Sequence, residues 1–255
     1  MTEHQTQANL KSVSIDELFD DVIGLSFKTF RSIGLLFKRP VEYFQAAKSP
    51  FWQNRLTPSF RIFLGLTALS TSFRYFYQDP NSPMVKLYAR AYEPFKNDPP
   101  EGLTADMIDP TQLAVATLKW YVLLNPIFIT ILFCLLGLLF RAFGEKLNPI
   151  VRIRYIFATI VPASFIGLIS VIPMAFLAPK YLGVTSNVGL LLMVIAMWVT
   201  CYRGAFSAVS DKSGRIGRAT ALSVSLFFMI MIAAFLSIFI GAIIVGIGLA
   251  KAGGV

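Results

Sequence analysis

The chain has 255 residues, of which 55% are hydrophobic and only 15% charged, against about 25% charged in an average soluble domain. Its mean hydropathy is +0.64, and four long stretches carry no charge at all. This excludes a disordered chain, a disulfide scaffold and an ordinary soluble enzyme, and predicts an integral membrane protein. The net charge of +9 does not point to nucleic acid, because the basic residues sit beside the apolar runs, where they encode topology.

Residues 1–13 read as a disordered tail. The opening MTEHQTQANL lacks the apolar stretch of a cleavable leader, so the first span is expected to act as insertion signal. Residues 14–57 read as amphipathic helices on the cytoplasmic side. Ser14-Ile15-Asp16-Glu17 fits a capping box. Behind it Ile15, Leu18, Phe19, Val22, Phe27, Phe30, Ile33 and Phe37 recur at helical spacing, with an acidic first half and a basic second half. Pro40 interrupts this helix, and a short one over Pro40–Gln45 follows. The pair would lie at the membrane interface or pack beneath the bundle as a cover.

Residues 58–255 form the expected transmembrane bundle. The first span runs over about 59–77, where only 12 uncharged residues separate Arg61 from Arg74 and Tyr75, Phe76 and Tyr77 supply an aromatic end. The connection 78–118 is expected to be helical, with starts at Ser82-Pro83, reaching Tyr92, and at Asp109-Pro110, continuing into the membrane. The remaining spans fall at about 120–140, 155–178, 184–202 and 219–250. The last charge-free run, 32 residues, is too long for an upright helix and too short for two, so one long, tilted or kinked helix is expected. Cys134 and Cys201 lie within or at the end of apolar runs, and no disulfide is expected.

Five spans place 16 of the 23 Lys and Arg residues on the N-terminal side. The positive-inside bias then puts the N-terminus in the cytoplasm and the C-terminus outside a bacterial inner membrane. Arg141, Lys146, Arg152 and Arg154 cluster between two spans and form a candidate contact for anionic membrane lipids. The alternative is that they only set orientation.

The expected spans two to five contain no Asp, Glu, His, Lys or Arg apart from flanking charges, and the one histidine is His4 in the tail. No zinc site, histidine-based serine dyad or proton-carrying acid is expected there. No enzymatic activity, metal or cofactor is expected. Asn125, Thr130, Ser164 and Ser170 are candidates to line an intramembrane cavity, since Pro126, Pro162 and Pro173 could break the spans around them. The plainer expectation is that these polar groups bond within or between helices. Ala233, Ser237 and Gly241 are four apart, a seam along which helix backbones can approach, inside the bundle or in a dimer.

Lys38-Arg39-Pro40-Val41-Glu42-Tyr43-Phe44, Phe51-Trp52 and Pro58 precede the first span. Phe143-Gly144-Glu145-Lys146-Leu147, Ile150 through Tyr155 and then Pro162 follow the second. Together with five spans, these stretches resemble the Yip1-domain membrane proteins over roughly residues 35–250. The acidic-tyrosine-glycine-proline signature of the eukaryotic members is not present. The resemblance implies a bacterial relative of these proteins. The residues themselves leave two functions as expectations, from the uncharged spans on one hand and the proline-containing spans and basic cytoplasmic residues on the other. One is a scaffold or accessory subunit of a membrane complex, with a protein partner or a second copy. The other is a transporter or lipid-handling protein with its site at the proline-containing spans.

Overall fold

The computed structural model describes residues 27–49, 51–52, 55–75, 80–99, 104–143, 146–174 and 179–252. The proposed capping box at Ser14–Glu17 lies outside them. Among the described residues the structure is all helical: α1 (Phe27–Lys38), α2 (Pro40–Ala46), α3 (Ser59–Tyr75), α4 (Pro83–Asn97), α5 (Pro110–Leu139), α6 (Pro149–Met174), α7 (Pro179–Thr200) and α8 (Lys212–Ala252).

The helix starts follow local chemistry. Ser82 accepts from Val85 N at 3.3 Å, and Pro83 takes the first turn of α4. Asp109 accepts from Thr111 N and Gln112 N at 2.9 and 3.3 Å ahead of Pro110. Asn148 accepts from Ile150 N at 3.0 Å ahead of Pro149. Asp211 accepts from Ser213 N and Gly214 N at the start of α8. Helix α4 runs past Tyr92, through Pro94, to Asn97.

Among the described residues, four helices are long and apolar enough to cross a membrane: Pro110–Leu139, Pro149–Ser170, Asn187–Ala205 and Lys212–Leu249. Helix α3, with 17 residues, is not among these four. The prolines do not break the spans. Helix α5 continues through Pro126, and α6 through Pro162 and Pro173. Proline still removes one N–H, which leaves the Val122 carbonyl without its helical donor. Helix α8 is one continuous helix of 41 residues.

Helix α5 packs along α8, α6 lies against α3 and α7, and α4 lies against the start of α5. The core joins Phe63, Phe133 and Phe157 on α3, α5 and α6, whose ring centroids lie 5.2–6.1 Å apart. A π-helical turn, Cys201–Ala205, ends α7, and α2 packs on it. There Gly204 is required: a Cβ would stand 2.5 Å from two ring carbons of the buried Phe44.

The segment from α1 to α3 is folded onto the bundle. Thr29, Ser32, Ile33 and Leu36 of α1 are buried, while Phe27 and Phe30 are exposed. Tyr43 Oη donates to the Thr57 carbonyl at 2.7 Å, and Thr57 N donates to Ser32 Oγ at 2.9 Å. Burial pushes the Tyr43 phenol far above its usual range, so it stays a neutral donor.

Candidate functional site

Helix α3 places Thr67, Ser70, Thr71 and Arg74 on one face, at three- and four-residue steps. That face lines a cavity of about 380 Å³ bounded by α3, α5, α6, α7 and α8, with Tyr88 of α4 beside it. Of the residues singled out in the sequence, Asn125, Ser164 and Ser170 line it. Thr130 does not; its hydroxyl donates to the Pro126 carbonyl at 2.7 Å, one turn back in its own helix. Ser170 makes the same kind of bond, to the Ile166 carbonyl at 2.9 Å, yet still borders the cavity. Pro126 and Val122 line it as well, so the carbonyl freed by the proline belongs to a residue on its wall.

The cavity has a polarity gradient. Arg74, Tyr88 and Tyr121 border one end, and the buried Phe63, Leu66 and Ile160 border it deeper in the bundle. Arg74 is half-buried, donates to Tyr121 Oη at 3.1 Å, and lies 5.7 Å from the centroid of the same ring. Burial raises the Tyr88 phenol above its usual range, the Tyr121 phenol adds to this, and the Arg74 charge acts against it. Among the described residues that line this cavity there is no Asp or Glu. The one salt bridge among the described residues, Arg39–Glu42 at 3.2 Å, lies in the α1–α2 region.

The basic cluster takes a different form from a single lipid pocket. Arg152 donates to the Leu138 and Phe140 carbonyls at 2.8 and 3.3 Å, closing the end of α5. Arg154 donates to the Ala47 and Ser49 carbonyls at 2.9 and 3.3 Å, just past α2, and lies 5.4 Å from the Trp52 ring centroid. Arg141 and Lys146 are exposed. Sequence reasoning missed a wider pattern. Arg203 donates to the Lys38 carbonyl, Arg215 to Tyr202 and Arg218 to Ala142. Arginines beside the apolar runs therefore serve as donors to carbonyls at or just past helix ends, which the negative end of the helix dipole favours.

Ala233, Ser237 and Gly241 are buried within the chain. A Cβ on Gly241 would meet Trp120 Cβ at 3.0 Å and the Thr117 carbonyl at 3.4 Å, so this seam faces α5. One turn and more beyond it, Gly246 has nothing within 4 Å of such a Cβ.

The residues described thus define a helical protein with four membrane-length apolar helices and a polar-ended cavity among them. Comparison with known protein families, curated proteins and solved structures gives no match for this chain.

Proposed function

We propose that the chain is a five-span membrane protein that takes an amphiphile into the cavity beside α3, a lipid-handling role rather than that of a scaffold. The observation that carries this reading is the cavity itself. It lies among membrane-length helices, is apolar toward the bundle core and polar at one end, as an amphiphile is. The small-residue seam that a scaffold could offer to a partner is instead occupied by α5. Cavity-filling variants test this. Ala234→Leu and Ser164→Leu place side chains on two walls of the cavity. Each is expected to lower the lipid retained in native mass spectrometry of the detergent-purified protein while leaving its melting temperature near wild type. Undiminished retention in both would overturn the reading.

Helix α3 supplies the fifth span. Ser59 Oγ at its start donates to the Arg154 carbonyl at 2.9 Å, and Arg74 at its end reaches Tyr121. Arg154 and Tyr121 flank opposite ends of the apolar runs of α6 and α5, so α3 extends over the same depth. Its 17 residues rise about 25 Å, short of a hydrocarbon core of about 30 Å. Arg61 and Arg74 snorkel and the bilayer thins locally to make up the difference. With Cys134 and Cys201 replaced by Ala, single cysteines at Ser49 and Ser213 are expected to label from the cytoplasm and one at Ser82 from outside. Labelling of Ser49 and Ser82 from the same side would remove α3 from the set of spans.

A further inference from the structure

We infer that the amphiphile held in this cavity is anionic, with its headgroup against Arg74 and an acyl chain directed toward Phe63 and Ile160. This rests on the lipid-handling reading and names its ligand class. A guanidinium has five N–H donors in a rigid fork. Tyr121 takes one of them at 3.1 Å, with its ring centroid 5.7 Å from the cation, which fixes the group at the cavity's polar end. Among the described residues that line the cavity, no carboxylate neutralises it. Among the described residues this half-buried charge has no carboxylate partner, and an arginine fork matches the oxygens of a phosphate or carboxylate.

The rest of the lining fits the same ligand. Thr71 and Ser70 stand beside Arg74 on α3, and Asn125 one turn below Tyr121 on α5. These groups can donate to headgroup oxygens. One turn and more down α3, Leu66 and Phe63 replace them, and Ile129 and Ile160 face the same space. Polar donors with a cation at one end and aliphatic and aromatic walls beyond suit a single-headed anionic lipid better than a free phosphate ion, which would leave the apolar part empty.

Native mass spectrometry in mixed phosphatidylglycerol–phosphatidylcholine micelles tests this with wild type, Arg74→Gln, Arg74→Lys and Ala234→Leu. Wild type is expected to retain phosphatidylglycerol in preference. Arg74→Gln should lower that preference about tenfold, the loss of one charge-assisted contact, and leave phosphatidylcholine retention unchanged. Arg74→Lys should keep part of it. Preference undiminished in Arg74→Gln would overturn the inference. Ala234→Leu separates the two layers: it should lower both lipids together, and its failure would strike the cavity reading instead. Inorganic phosphate alone is expected not to raise the melting temperature of wild type. Stabilisation by phosphate equal to that by phosphatidylglycerol would overturn the lipid form of the ligand.

Discussion

Gly137→Ala is expected to destabilise the bundle by about 1–3 kcal/mol, read as a lower unfolding midpoint in mild detergent. The added Cβ would stand 2.8 Å from both Cα and Cγ1 of Ile153 and 3.1 Å from its N. A side chain can rotate away, but the backbone of α6 cannot. Helices α5 and α6 must therefore part at this crossing. Their separation would disturb the Arg152 bonds to the end of α5 and the Phe140–Phe143 ring contact at 5.1 Å. Replacing glycine within a helix also brings a gain of up to about 1 kcal/mol in propensity, which offsets part of the loss. Gly246→Ala reads that gain alone, because a Cβ there meets nothing within 4 Å. Gly246→Ala should be neutral or stabilising. If Gly137→Ala behaved the same way, the close approach of α5 and α6 would be wrong.

Arg154→Gln should cost about 2–3 kcal/mol, the range for a charge-assisted hydrogen-bonded group that also covers an aromatic ring. Its guanidinium joins the chain just past α2 to the start of α6 through two carbonyls and Trp52, while its own carbonyl accepts from Ser59. One residue thus connects the N-terminal helices, α3 and α6. Arg154→Lys retains the charge that topology requires, but not the planar fork that spans two carbonyls and stacks on the indole. It should insert in the wild-type orientation and still lose most of the stability. Full stability in Arg154→Lys would mean that net charge alone matters at this position.

The pairing of Arg152 and Arg154 with backbone carbonyls explains why charge counting reached only part of their role. In sequence a basic residue next to an apolar run has the same appearance whether it faces a headgroup or a helix end. The partners of Arg154, Ala47 and Ser49, are 107 and 105 residues away. No local pattern marks a bare carbonyl at such a distance.

What the sequence by itself determined is what depends on neighbours along the chain. Charge-free runs mark α5, α6, α7 and α8 because a helix must hide its backbone polar groups in lipid and carry no unpaired charge. Ser82-Pro83 and Asp109-Pro110 mark helix starts because a side-chain oxygen and a fixed φ act within one turn. Only the tertiary structure decided which side chains face the cavity. In a membrane the lipid side and the interior side of a helix are both apolar, so periodicity does not tell them apart. Asn125, Ser164 and Ser170 came to the cavity and Thr130 did not, although all four are polar residues in apolar runs. Arg74, read in sequence as the end of a weak span, became the cation at the cavity's polar end, because α3 runs beside α5 and brings it to Tyr121.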